Sequence, residues 1–201
     1  MNKIISIDHG NRMMKTLRHV FPASYMEGSS IAGGDVLKYQ GKMYTLIDEI
    51  LPVLSDKTED ERYFILTLFA IGKELVHEAE LYRKLTPHDP IKIELLVGLP
   101  LQHYETYKGK FEQYFSNQQR GNIQFELNGK PYSIRITRAH ASPQAYAAAV
   151  TAYEQLKDSR IINIVDIGGF TVDCLQLNKF KPNMTRCTSL YSKLDPQVKM
   201  V

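Results

Sequence analysis

The chain contains no tryptophan and only two cysteines, Cys174 and Cys187, in 201 residues. Two thiols are too few for a disulfide framework, so a reducing cytoplasm is the expected setting. Cys174 reads as a small core residue. No apolar run approaches the length of a membrane span, and the N-terminus lacks the basic-then-apolar pattern of a signal peptide. Charge of one sign is also scarce: 25 Lys and Arg against 22 Asp and Glu leave +3, too little to argue for nucleic acid. With 43% hydrophobic and 23% charged residues, the composition is that of a soluble globular protein. At 201 residues it can build one large or two small domains, each with a core.

What the sequence does contain is a pair of similar acid-tipped stretches. In the second, the β-branched run Ile161-Ile162-Asn163-Ile164-Val165 leads into Asp166, then Gly168-Gly169, Thr171 and Asp173. The run reads as a buried strand, since nothing interrupts its Ile and Val residues. The two glycines permit backbone conformations that a Cβ forbids and let another group come close to the main chain. Asp166 is left at the strand end, a setting suited to phosphate oxygens on backbone amides and hydrated Mg²⁺ near a carboxylate. Val172, Leu175 and Leu177 then suggest a strand returning on the first. Near the N-terminus, Ile4-Ile5-Ser6-Ile7 leads into Asp8, Gly10 and Asn11, followed by Lys15. The shared pattern of strand, Asp, spacer and Gly is an internal repeat.

Between these stretches the pattern alternates strands and helices. Arg12 to Val20 is expected to return as the second arm of a hairpin, and Phe21-Pro22 to break it, because proline is a poor central-strand residue. Gly28 to Gly34 reads as a loop, and 36–39 with 43–46 as a hairpin across Gln40-Gly41-Lys42. A helix is expected from about Thr58, with Thr58 and Glu61 as a capping box and Phe64, Ile65, Leu68, Phe69, Leu75, Val76 and Ala79 on its apolar face. Ile91 to Val97 reads as a strand ending at Gly98-Leu99-Pro100. Tyr104 to Phe115 reads as a helix with Tyr107, Phe111, Tyr114 and Phe115 in a stripe. Interleaving of these aromatics with Lys108, Lys110 and Arg120 raises nucleic-acid binding, but a packed face with a solvated flank accounts for it better. Asn128-Gly129 marks a hairpin between 123–127 and 132–136. Ser142-Pro143 is expected to open the next helix, with Ser as N-cap and Pro in the first turn.

Together, Asp8-x-Gly10-Asn11-x-x-x-Lys15 and Asp166-x-Gly168-Gly169-x-Thr171-x-Asp173 resemble the two phosphate loops of the actin-like ATPase superfamily, which includes actin, heat-shock chaperones and sugar kinases. Val97-Gly98-Leu99-Pro100-Leu101, the Tyr-rich helix, the Asn128-Gly129 hairpin and Ala141-Ser142-Pro143-Gln144-Ala145-Tyr146 narrow the likeness. They resemble the bacterial ParM/StbA plasmid-segregation group, and the likeness runs from about Ile4 to about Leu177. The implied fold is α/β, an actin-like (ribonuclease H-like) mixed sheet with flanking helices. Residues 1–160 are expected to form the first domain and 161–201 the start of the second. The family continues well past the point that Val201 represents, so the expectation is a fragment or a chain that diverges after its second loop. The stretch 191–196 also lacks the glycine that relatives carry there.

The resemblance implies ATP and Mg²⁺ as cofactors. Asp8 and Asp166 would surround the hydrated metal, and Gly10, Asn11, Gly168, Gly169 and Thr171 would contact phosphates. Lys15 would stabilise charge on the β- or γ-phosphate, and Gln144 would orient the attacking water, which an amide can do by accepting one hydrogen bond and donating another. Asp173 is expected to be structural. The implied activity is ATP-driven filament assembly that segregates plasmid DNA through a DNA-bound adaptor, with no direct nucleic-acid or membrane binding. The alternatives are a non-catalytic interaction protein that keeps part of the fold, and a small-molecule kinase or chaperone sharing the loops.

Overall fold

The computed structural model describes residues 2–28, 33–52, 54, 56–77, 90–99, 101–116, 120–144, 146, 149, 152–167 and 171–191, the side chains of 101–103, 171, 189 and 191 excepted. They divide into two compact units: Met1–Gly98 with Tyr107–Ala141, and Leu99–Thr106 with Ser142–Val201.

The first unit is built on a nine-stranded mixed sheet. Its strands are β1 (Asn2–His9), β2 (Met13–Lys15), β3 (Val20–Pro22), β4 (Tyr25–Glu27), β5 (Val36–Tyr39), β6 (Lys42–Leu46), β7 (Ile91–Leu99), β8 (Ile123–Leu127) and β9 (Lys130–Pro143). They lie in the order β3-β2-β1-β7-β9-β8-β5-β6-β4. Strand β1 runs parallel to β7, from Asn2 opposite Lys92 to Asp8 opposite Gly98, and antiparallel to β2. Alternation along β1 and β7 buries Ile5, Ile7, Ile93, Leu95 and Val97 while Ile4 and Leu96 stay exposed, as expected of a sheet covered on one face.

Two helices supply that cover. Helix α1 (Arg62–Val76) is buried along nearly its whole length, with Phe64, Leu66, Leu68, Phe69, Ala70, Ile71 and Leu75 fully enclosed. Helix α2 (Leu101–Ser116) adds Phe111 and Phe115. Each such side chain removed from water contributes about 1.5–3 kcal/mol before the entropy of ordering is charged against it. Gly72 lets α1 approach the sheet: a Cβ there would lie 2.7 Å from Leu127 Cδ2 and 3.3 Å from Leu127 Cβ. The expected hairpins are present. Gln40 and Gly41, and Asn128 and Gly129, have positive φ at both positions, the backbone that fits the twist of a two-residue strand connection.

The second unit contains a four-stranded antiparallel sheet. Strand β10 (Ile161–Ile167) pairs with β11 (Thr171–Asn178), which also pairs with β12 (Lys181–Pro182) and β13 (Thr188–Tyr191). Ala149, Ile162, Leu175 and Leu177 form its core, with Tyr146, Ile164 and Phe180 packed against them. A short helix, α3 (Tyr153–Leu156), precedes the sheet.

Several sequence expectations need correction. Helix α1 begins at Arg62, and no capping box forms, because the Thr58 N–H and hydroxyl both donate to Asp56 Oδ1, at 2.9 and 2.7 Å. An acid two residues upstream offers a local partner that outcompetes the cap. The arm after Gly10 is also not continuous: β2 spans three residues, a turn follows, and Phe21-Pro22 lies within β3 at the sheet's edge, where a missing N–H is tolerated. Glu74 forces that turn by accepting from the Thr16 hydroxyl at 2.6 Å, the Arg18 N–H at 3.0 Å and the Arg18 guanidinium at 2.7 Å. Ser142 and Pro143 end a strand instead of opening a helix. β9 is held in extended form by the Ala141 N–H on Glu112 Oε1 at 2.9 Å, and the Gln144 N–H donates to the Leu99 carbonyl at 2.8 Å. Strand β10 is not buried on both sides: among the described residues Ile161, Val165 and Ile167 are exposed. Ala79, Gly168, Gly169 and most of the 28–34 loop lie outside the described residues, as does the stretch after Tyr191.

Replacing Gly72 with Val should destabilise the protein by about 1–3 kcal/mol, through forced displacement of β8 side chains. Urea denaturation of G72V against wild type measures this.

Candidate functional site

In an open α/β sheet, ligands bind outside the carboxyl ends of parallel strands, where side chains and loop amides converge without a following strand to occupy them. Asp8 stands at that edge, one residue from the end of β1, with Gly98 of β7 beside it. On its other side the antiparallel register sets Lys15 directly opposite, and Lys15 Nζ lies 3.5 Å from Asp8 Oδ2. Both groups are partly exposed, with side-chain accessibilities of 33% for Asp8 and 50% for Lys15. A surface pair of this kind adds little stability, well under 1 kcal/mol. Its arrangement suits another use: a carboxylate for a hydrated cation and an ammonium for an anion, side by side.

The bend between them demands glycine. A Cβ on Gly10 would sit 2.3 Å from the Met13 carbonyl oxygen, so any other residue would open the turn. The bend is held from beneath by buried polar groups. His9 is fully buried, its ring 5.4 Å from Phe111 and 5.1 Å from Phe115 between centroids. Its Nε2 lies 2.8 Å from the Thr67 hydroxyl, and that hydroxyl donates to the Tyr63 carbonyl at 2.7 Å, so the imidazole N–H is the donor to Thr67. Burial, with help from the nearby Lys57 charge, pushes the His9 pKa down to about 3. The Tyr63 phenol donates to Asn11 Oδ1 at 3.3 Å, and burial pushes that phenol up to about 12. Sequence reading missed His9, Lys57, Tyr63 and Thr67 as partners of this loop. Only His9 lies inside the motif, and the others are met through long-range packing that no local pattern reports.

In the second unit, Asp166 of β10 and Asp173 of β11 are directly opposite in register, on the covered face that carries Ile162, Ile164, Leu175 and Leu177. Asp173 is buried and Asp166 half-buried. Like charges facing each other across a strand pair repel, and a cation beside them relieves the repulsion. Thr171 begins β11, paired with Tyr191; its side chain, with Gly168 and Gly169, lies outside the described residues. Gln144 occupies the turn after β9, with Tyr146 and Ala149 helical beyond it.

The Asp8–Lys15 pair of the first loop fits a metal-bound polyphosphate. Among the described residues no group of three or more His, Cys, Asp or Glu could cage a metal. Mg²⁺ does not require one, since it keeps waters and takes one or two carboxylates plus phosphate oxygens. The cations interleaved with the aromatics of α2 have acidic partners where these are described. Lys110 is paired with Asp56, and Arg120 bonds Glu61 at 3.0 Å with its guanidinium 3.7 Å from the Phe64 ring centroid.

Residues 6–146, more than half of the chain and including the whole first loop, match the family described as actin like proteins, N terminal domain. The chain belongs to the actin-like proteins. Solved structures show the same fold. An AlfA filament bound to AMPPNP is 18% identical with a TM-score of 0.66, over 97% of this chain and 72% of that one. The apo pSK41 ParM protein is 12% identical with a TM-score of 0.68, over 94% and 66%. The archaeal actin homologue Ta0583 is 17% identical with a TM-score of 0.71, over 94% and 61%. This actin-like protein thus spans 61–72% of the length of those neighbours. No curated protein matches it. No described helix is long and apolar enough to cross a membrane.

The buried neutral His9 has a stability consequence. Its folded pKa of about 3 lies below the ordinary 6.5, so the unfolded chain binds the extra proton as pH falls. Stability should therefore drop on acidification from pH 6.5 towards 3, with His9 contributing up to about 1.4 kcal/mol per pH unit. Urea unfolding at pH 6.5 and 5.0 should show this slope in wild type and a slope shallower by about one proton in His9→Gln.

Proposed function

We propose that this actin-like protein binds ATP with Mg²⁺ through both acid-tipped loops and assembles into filaments, with ATP hydrolysis coupled to assembly. The observation that carries the reading is the first loop itself, an Asp8–Lys15 pair across a bend that only Gly10 fits, at the carboxyl edge of a parallel strand pair. The membership of residues 6–146 in the actin-like family supports it, as does the AMPPNP-bound AlfA filament among proteins of the same fold. Filament growth, plasmid segregation through a DNA-bound adaptor and a cytoplasmic location are parts of the same proposal. So is the division into a first domain, 1–160, and the start of a second, 161–201.

Bound Mg²⁺ would neutralise phosphate charge as the γ-phosphoryl group leaves. Asp8 and Asp166 would hold the hydrated metal through their carboxylates. Lys15 places an ammonium on the β- or γ-phosphate side of the bend. Backbone N–H groups at Gly10, Gly168 and Gly169, with the Asn11 and Thr171 side chains, donate to phosphate oxygens. Gln144 orients the attacking water, and Asp173 is structural, holding the second loop.

Phosphate release and light scattering with Mg-ATP should rise together in wild type. Asp166→Ala should abolish release without unfolding the protein. Scattering that is independent of nucleotide, with no phosphate released, would favour a non-catalytic structural protein. Unchanged turnover in D166A would remove Asp166 from its assigned role.

A further inference from the structure

Few charged side chains are buried in the first unit, and one of them, Lys57, reaches the first loop from outside the motif. It is 5% exposed, and its ammonium donates to the backbone carbonyl of His9, the spacer between Asp8 and Gly10. The same ammonium lies 4.7 Å from the centroid of the Tyr63 ring, whose hydroxyl reaches Asn11. Lys57 is itself held in place by its neighbour. The Asp56 carboxylate accepts from the Thr58 N–H and hydroxyl and from Lys110 of α2. Burial raises the Asp56 pKa, but these hydrogen bonds more than offset it and hold the carboxyl below its ordinary value, so it stays ionised. The segment is thus pinned to α2 at Asp56 and to the loop at Lys57.

The geometry of the peptide bond gives this contact a direction. In a trans peptide the C=O and the following N–H point opposite ways. No cis peptide occurs among the described residues, so a His9 carbonyl drawn towards Lys57 turns the Gly10 N–H away from it. Withdrawal of electron density from the carbonyl by an ammonium also strengthens that N–H as a donor. Lys57 is one of several buried groups gripping His9 and Asn11, and its contact is with the peptide unit that carries the Gly10 N–H.

We propose that Lys57 is a positioning residue for the first loop: by holding the His9 carbonyl it aims the Gly10 N–H at an anionic phosphate oxygen. The role rests on the nucleotide-binding reading, and its ligand class is the same, a polyphosphate. Lys57 touches neither phosphate nor metal in this role. It acts through the peptide between residues 9 and 10, and its positive charge adds a favourable field for an anion in the poorly solvated ground behind the loop.

Amide NMR spectra of the whole protein, titrated with Mg-ATP, test this together with ATP affinity measured by a fluorescent analogue. In wild type the Gly10 amide proton should move downfield as ATP binds. Lys57→Met should shift the Gly10 amide in the nucleotide-free protein and weaken ATP binding at least tenfold, whereas Lys57→Arg, which keeps charge and donors, should stay within about threefold. The proposal is overturned if ATP binds wild type and leaves the Gly10 amide unmoved, or if folded K57M binds ATP as wild type does. It is also overturned if K57M weakens binding while its nucleotide-free Gly10 signal stays in place. Should K57M not fold, Lys57→Gln is read in its place, with the same outcomes supporting or overturning the proposal. If wild type binds no ATP, the nucleotide-binding reading fails by itself, and the nucleotide-free Gly10 amide in K57M against wild type still tests whether Lys57 orients that peptide.

Discussion

The parallel pairing of β1 with β7 decides where the chemistry of the first unit stands. Its register runs unbroken from Asn2 to Asp8 and ends with an acid beside Gly98. Slipping the pairing by one residue would send Ile5, Ile7 and His9 to the open face and Asp8 into the core, so burial of the apolar residues and placement of the acid are one constraint. The helices complete it. Phe111 and Phe115, fully buried in the core that α2 contributes, also enclose His9. Core packing and loop geometry therefore cannot vary independently here.

The loop is rigid for reasons beyond its glycine. A neutral imidazole, a threonine hydroxyl, a tyrosine and a buried ammonium grip it from the helical side, each with a named hydrogen-bond partner. Buried polar groups are costly when unmet and specific when met. The opposite face of the bend carries the partly exposed Asp8–Lys15 pair.

Much of the fold was legible in the sequence. The hairpins at Gln40-Gly41 and Asn128-Gly129 were marked by residues that accept positive φ, and the stripe of Phe64, Leu68 and Leu75 marked α1. Both acid-tipped motifs stood out by composition, and the family likeness they carried holds. Failures came where a distant group overrode a local signal. Asp56 took the hydrogen bonds that a Thr58 cap would have used, Glu74 bent the arm after Lys15, and Glu112 kept residues 141–143 extended. The apolar run 161–167 resembled a strand buried on both faces, but among the described residues only one face is covered. Periodicity shows which residues can be buried and is silent on whether a cover exists. Lys57 was invisible for a related reason, since its partner is a backbone carbonyl 48 residues away.

The proposed function requires the bends at Asp8 and Asp166 to serve one metal–triphosphate. Replacing Mg²⁺ with paramagnetic Mn²⁺ in the ATP complex tests it directly. Amide signals of residues 8–11 and 166–169 should broaden together, at the same low Mn-ATP concentration. Broadening confined to one loop, or absent from both while ATP binds elsewhere, would contradict it.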